Sequence, residues 1–331
     1  MKLSPQQLSS SRQVDPFVFR SIDDTRSNTS DFRPLTRSIC SQEKRISRIY
    51  RSAVSITAAS FLLLSLRTVT GEEIQIKSSL DGALQKCEVL VPEGYTKDKA
   101  TPLLVQLHSW GGDYKEKVQK VTAPAGKRGW IALCVDYRGG NTNQMACASE
   151  FAIQDIVDAV HYMCDHYNID KKKIYLCGGS GGGHMALVMA AKHPELWTAV
   201  VSFVPITDLK KWYQEMDPTT ETGKAANEPE GFNKSVRLNV ETICGGDPTL
   251  GGKPEETAAA RSPITFIEGA KNLDLLIISG KSDNLVPYHH GEDAYQKLVA
   301  AGSKKVKFTL ANKGHYIDIE EGCAFLEKFS K

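Results

Sequence analysis

Residues 174–194 read IYLCGGSGGGHMALVMAAKHP, with one serine set among glycines where a strand-like apolar run meets a helix-like one. Gly178-Gly179-Ser180-Gly181-Gly182 fits G-x-S-x-G, and the strand–turn–helix context is the one that motif requires. A serine on so sharp a turn holds its hydroxyl clear of the sheet edge, beside the free N–H groups of a helix start. The chemistry this suits is nucleophilic attack on a carbonyl. A hydroxyl is a weak nucleophile alone, so it needs a base, and the base needs a group to orient it. Downstream, LLIISGKSDNLVPYHH places Asp283 in a loop after an apolar strand, and FTLANKGHYIDI places His315 in a loop between the last strand and the last helix. Ser180, Asp283 and His315 therefore sit at strand C-terminal ends, the rim where open α/β sheets bind ligands. Asp208, in PITDL, is the rival acid. His161, His166, His289 and His290 lie on or beside helices, where packing explains them.

The third requirement is a pair of donors for a developing oxyanion. One is the backbone N–H of Gly181. The other is expected from QLHSWGGDY, residues 106–114, through the N–H of Trp110 or, second, of Ser109. His108 braces this loop by hydrogen bonding and is not a base. Trp110, Trp212 and Tyr213 are candidates to stack on a sugar or an aromatic acyl group, with ordinary packing as the competing account. His184, four residues after Ser180, either touches a substrate or packs within its helix.

These residues need a scaffold. EEIQIKSS and LQKCEVLVPEGY read as two strands joined at Asp81-Gly82, a turn dipeptide. LLVQLHS and WIALCVDYR are short continuous apolar runs, as expected of strands buried on both faces. Residues 149–169 place Phe151, Ile156, Val157, Val160 and Met163 at helical spacing. Then follow KIYLC (strand), GGHMALVMAAKH (helix, stopped by Pro194), AVVSFVP and LDLLIISG (strands), YHHGEDAYQKLVAAG (helix), KVKFTLA (strand) and YIDIEEGCAFLEKF (helix). The alternation predicts an α/β fold, a mostly parallel sheet with helices on both faces. Residues 209–262 interrupt the rhythm, and a polar stretch of that length is either functional or carries its own small helices.

The 331 residues are 41% hydrophobic and 24% charged, enough for a substantial core. Residues 1–70 carry a net charge of +6 and the remainder −4, so the main body presents no basic surface for nucleic acid. Residues 1–52 read as a disordered extension rich in Ser and Arg. Residues 53–70 read as the apolar core and cleavage region of a signal peptide. Lys44, Arg45, Arg48 and Arg51 precede the 14-residue run Ala53–Leu66, too short for the ~20 residues of a membrane span. That grammar points to a secreted or periplasmic protein; membrane-anchored and cytoplasmic locations are the alternatives, and no stable membrane insertion is expected. Residues 71–331 form the expected catalytic domain, with the insertion at about 209–262. Cys147, Cys244 and Cys323 lie where pairing is conceivable, whereas Cys134 and Cys177 sit in strand-like runs as buried thiols. No zinc spacing, H-E-x-x-H or G-x-G-x-x-G after the first strand occurs, so no cofactor and no metal are implied.

From about residue 75 onward the chain resembles an α/β-hydrolase, and within that superfamily the catalytic domain of the prolyl oligopeptidase family. GGSGGGHMALVMAAKHPELWTAVVSFVPITDL is similar to the family's nucleophile segment, SGKSDNLVP to its acid loop and KGHYI to its histidine loop. Family peptidases carry a β-propeller ahead of this domain that screens substrates, and with only about 100 residues of the main body ahead of the nucleophile strand no propeller is expected here. The tyrosine that helps form the family's oxyanion hole has only Tyr114 as a loose counterpart. The resemblance therefore implies a serine hydrolase, and standalone domains of this kind resemble secreted carboxylesterases, including those acting on acetylated or feruloylated polysaccharides. Three readings stand: a carboxylesterase, a prolyl-oligopeptidase-like serine peptidase, and a catalytically inactive hydrolase-fold binding protein. The expected partner is a small ester or short peptide, carbohydrate-linked in the first reading. Activity is expected to follow the base form of a histidine, rising through about pH 6–7.

Overall fold

The computed structural model describes residues 69–227 and 230–330. The expected disordered extension and the apolar run at 53–66 lie outside the described residues. Eight strands form one sheet: β1 (Val69–Lys77), β2 (Leu84–Pro92), β3 (Thr101–Leu107), β4 (Ile131–Val135), β5 (Ile169–Gly179), β6 (Ala199–Phe203), β7 (Asp274–Gly280) and β8 (Val306–Ala311). Their order across the sheet is β1-β2-β4-β3-β5-β6-β7-β8. The two pairings made by β2 are antiparallel and all others are parallel. β1 opens at Val69, paired with Pro92, two residues before the domain boundary expected from the sequence.

Crossover helices fill the connections. α1 (Val118–Arg128) joins β3 to β4, α2 (Glu150–His166) joins β4 to β5, and α3 (Gly181–Lys192) joins β5 to β6. Between β6 and β7 come α4 (Leu209–Glu215), α5 (Glu221–Ala225), α6 (Phe232–Cys244) and α7 (Gly252–Arg261), so the 209–262 segment is a small helical cap. α8 (His289–Ala300) and α9 (Ile319–Leu326) flank β8. Among the described residues no helix is long and apolar enough to cross a membrane.

Strand alternation sends side chains to two core layers. Leu103, Val105 and Leu107 of β3 join Ile156 and Met163 of α2 and Met185, Val188 and Met189 of α3 on one face. Leu104, Tyr175 and Cys177 join Val121 of α1 and Cys323, Phe325 and Leu326 of α9 on the other. Because both faces are covered, the buried stretches of the central strands are mostly apolar, with Gln106, Ser202 and Ser279 as buried polar exceptions. A third cluster belongs to the cap, where Leu209, Trp212, Val236, Val240 and Ile243 pack on Trp110 and Val286 of the sheet rim. The seven described cysteines are all free thiols, and Cys87, Cys134, Cys147, Cys177, Cys244 and Cys323 are buried. The pairing considered for Cys147, Cys244 and Cys323 is thus absent: Cys323 lies in the α9 layer and Cys147 beside His184.

Candidate active site

The seam between β5 and α3 bends so sharply that Ser180 adopts φ 57°, ψ −119°. These are the angles of the first central residue of a type II′ turn, a position that ordinarily takes glycine. A β-carbon there costs on the order of 1–3 kcal/mol, and the surrounding structure holds it in place. Ser180 N–H donates to Phe203 O of β6 at 2.9 Å, and His184 N–H closes the first helical bond on Ser180 O at 2.9 Å.

The acid and the histidine come from the loops after β7 and β8. A β-carbon on Gly280, the last residue of β7, would lie 2.0 Å from Gly314 O, so only glycine admits this approach. Lys281 N–H donates to Ala311 O at 2.8 Å and Ser282 N–H to Lys313 O at 3.0 Å. These bonds fix the two loops against each other, and His315 Nδ1 lies 2.8 Å from Asp283 Oδ2. The second carboxylate oxygen, Oδ1, accepts the N–H groups of Leu285 and Val286, both at 2.9 Å. With one oxygen clamped by two amides, the other can only present itself to the imidazole. Ile317 then folds back over Gly179, the residue before Ser180, which brings the histidine loop onto the nucleophile turn. Asp208, the rival acid, instead caps α4 by accepting Lys211 N–H at 3.0 Å.

The β3–α1 loop faces the start of α3. A β-carbon on Gly181 would lie 2.5 Å from both N and Cα of Trp110. The N–H of Ser109 donates to Glu116 Oε2 at 2.6 Å, whereas that of Trp110 has no hydrogen-bond partner among the described residues. Trp110 N is therefore the free donor beside Gly181. His108 stacks on Tyr137 with ring centroids 4.0 Å apart, and its Nδ1 lies 2.9 Å from Ser109 O. Burial pushes its pKa below that of an ordinary histidine. Tyr114 OH donates to Glu73 of β1 at 2.6 Å and is thereby held to the edge strand.

The remaining candidates are internal. His184 is fully buried, with Nδ1 2.9 Å from Ile206 O and Nε2 3.9 Å from Cys147 Sγ, and burial lowers its pKa to about 4. Trp212 Nε1 donates to Leu285 O at 2.8 Å, and its ring meets Trp110 edge-on at 4.8 Å. The Tyr213 hydroxyl lies 2.5 Å from Glu241 Oε1 and 3.0 Å from Asp247 Oδ2. Trp212 ties the cap to the loop after β7, Tyr213 is bound within the cap, and His184 holds α3 to the loop after β6, so the polar atoms of all three are engaged inside the protein.

Glu215, His289 and His290 bring three ligand atoms within 4.8 Å of one another, the one such metal-competent group among the described residues. Their hydrogen bonding closes it. Thr207 N–H donates to His290 Nδ1 at 3.2 Å, so that ring carries its proton on Nε2 and gives it to Glu215 Oε2 at 2.9 Å. A cation on Nε2 would move the proton to Nδ1, against the amide. The group is a clasp between α4 and α8. Burial alone would raise the Glu215 carboxyl, but hydrogen bonds from His289 and His290 outweigh it and hold its pKa at about 2.

Residues 88–298, more than half of the chain, match the family model BD-FAE. The chain belongs to the BD-FAE family. The BD-FAE domain here is 26% identical over 232 residues to mouse acylamino-acid-releasing enzyme, a match that covers 64% of this chain and 28% of that enzyme. It thus spans little more than a quarter of that relative's length. Among solved structures, Pyrococcus horikoshii acylaminoacyl peptidase aligns with a TM-score of 0.60 at 19% identity, over 80% of this chain and 41% of that one. A structure from a study of two fungal esterases from Rhizomucor miehei aligns with a TM-score of 0.60 at 21% identity, over 81% of this chain and 85% of that one. The fold is that of the α/β-hydrolases.

Proposed function

We propose that this BD-FAE domain is a serine hydrolase working through an acyl-enzyme, and that its substrates are carboxylic esters. The Asp283–His315 hydrogen bond at 2.8 Å carries the reading, since it joins two loops on the rim that also holds the strained Ser180. In the first half-reaction Ser180 Oγ bonds to the ester carbonyl carbon while its proton passes to His315 Nε2. Asp283 holds Nδ1–H and stabilises the imidazolium. The tetrahedral oxyanion rests on the N–H groups of Gly181 and Trp110. Its collapse breaks the carbon–oxygen bond to the alcohol, which leaves with the proton from His315. Water then gives a proton to His315 and bonds to the acyl carbon, and the second tetrahedral intermediate collapses by breaking its bond to Ser180 Oγ, which takes the proton back from His315 as the acid leaves.

Two considerations favour esters. An alkoxide leaves more readily than an amine, so less assistance is needed. The solved structures that the chain resembles also include one from a study of two fungal esterases, beside peptidases of longer chain. The peptidase names of those longer relatives support amide cleavage as the second reading. Acyl esters of polysaccharides are the substrate class proposed within the first, and export, from the signal-like run at 53–66, would bring enzyme and polysaccharide together.

The test is labelling with a fluorophosphonate, followed by turnover of p-nitrophenyl esters and aminoacyl amides side by side. Labelling at Ser180 with ester turnover, both abolished in Ser180→Ala, is the expected result. Amide cleavage in place of ester turnover would establish the peptidase reading. A folded protein that takes no label would be a binding protein on a hydrolase fold.

A further inference from the structure

We propose that Asn141 is a third oxyanion donor, acting through its side-chain amide; the inference rests on the serine-hydrolase reading above. Asn141 lies in the loop between β4 and α2 and is fully buried. Its backbone N–H donates to Trp110 O at 2.6 Å, tying it to the residue whose own N–H faces Gly181. Its Oδ1 accepts Cys147 N–H at 2.9 Å. That bond settles the orientation of the amide, because only the oxygen can accept an N–H. Nδ2 then points the other way, and it is buried without a hydrogen-bond partner. A buried unpaired donor forgoes its hydration with nothing in return, and such groups are rare enough to require a reason.

Geometry supplies one. The position that a β-carbon would take on Gly181 is 3.0 Å from Asn141 Nδ2 and 2.5 Å from Trp110 N. Trp110 N and Asn141 Nδ2, both without a hydrogen-bond partner among the described residues and drawn from different loops, thus pack against Gly181, the residue after Ser180, whose own N–H is the first of α3 and unpaired by helix geometry. An oxyanion held by the Gly181 N–H would lie in the neighbourhood of all three donors. The loop is held rigidly: Arg138, Cys147 and Ala148 all adopt positive φ, and the Arg138 guanidinium binds Asp155 of α2 and Asp81 of the β1–β2 turn. Such preorganisation makes a donor worth more to a transition state than to a ground state.

Asn141→Asp keeps the oxygen that receives Cys147 N–H and removes the donor; Asn141→Ala removes both. With active sites titrated, each variant is expected to lose about 10²–10³-fold in kcat while KM for a p-nitrophenyl ester stays within about threefold. Fluorophosphonate labelling should slow in step, since the phosphonyl oxygen needs the same donors. A purely structural role would lower the melting temperature and leave kcat per titrated site unchanged, and that outcome would overturn the proposal. A crystal structure of the wild-type fluorophosphonate adduct decides the matter without any variant. A phosphonyl oxygen within hydrogen-bond distance of Nδ2 is expected, and one beyond 4 Å would also overturn it. Failure of Ser180→Ala to abolish turnover would instead remove the hydrolase reading itself.

Discussion

At Ser180 a side chain occupies a backbone conformation that suits glycine, and the hydroxyl is what requires it. Relieving that strain should stabilise the protein. Ser180→Gly is expected to be more stable than Ser180→Ala by about 1 kcal/mol, the strain released exceeding the extra unfolded-state entropy of glycine. Urea unfolding of the two inactive variants measures the difference. Ser180, Asp283 and His315, the proposed nucleophile, acid and base, were legible in the sequence as candidates because each stands in a distinctive string of neighbours at a strand end. The donors were less so. Ser109 and Trp110 are adjacent in sequence, and only the reach of Glu116 to the Ser109 amide separates them. Asn141 was invisible, since an asparagine in a Gly-rich loop is ordinary turn chemistry until its unpaired nitrogen is seen beside Gly181.

Among the elements, strands were the easier half to read, being continuous apolar runs that the sheet covers on both faces. α1 escaped because Pro124 stands inside it and its sequence, VQKVTAPAGKR, has few apolar residues. Its end is nonetheless marked, with Lys127 and Arg128 in the last turn and Gly129 in the left-handed conformation. In the cap, α4 and α5 are short and α7 buries only Ala258, so they leave little pattern; α6 does carry a stripe, Phe232, Val236, Val240 and Ile243 at helical spacing, set among polar and Gly/Pro-rich residues that obscure it. The loop after β4 is anchored to α2 by a charge pair, Arg138 to Asp155, whose carboxylate is wholly buried. Arg138→Ala would leave that carboxylate unpaired and is expected to cost about 3–5 kcal/mol. Pairing it with Asp155→Leu should recover most of the loss, a cycle that chemical denaturation can follow.

For the molecule as a whole, buried histidines set how stability depends on pH. His184 has its pKa lowered to about 4, against an ordinary value near 6.5. Below pH 6.5 the unfolded chain takes up a proton that the folded protein refuses, so stability falls as pH drops from 6.5 to 4 and levels off beneath. The loss attributable to His184 is about 2 kcal/mol at pH 5, with His108 acting in the same direction. Glu215 works in a lower window, its contribution fading only as pH falls below about 4.5 towards 2. Urea midpoints at pH 7 and pH 5 should therefore differ, and His184→Asn, which keeps a donor for Ile206 O, should shrink the difference.

The order of the site along the chain also has a consequence in time. Ser180 and its turn are made from β3, β5 and β6, whereas Asp283 and His315 follow 103 and 135 residues later. A ribosome adding about 5–20 residues per second needs roughly 7–27 s to cover the longer interval. Throughout it the nascent chain holds a serine without a base, and β7 and β8 must still join the open edge of the sheet. Under the proposed mechanism the protein is thus synthesised as its own inactive precursor, and the arrival of β8 with the loop that carries His315 is the step that arms it.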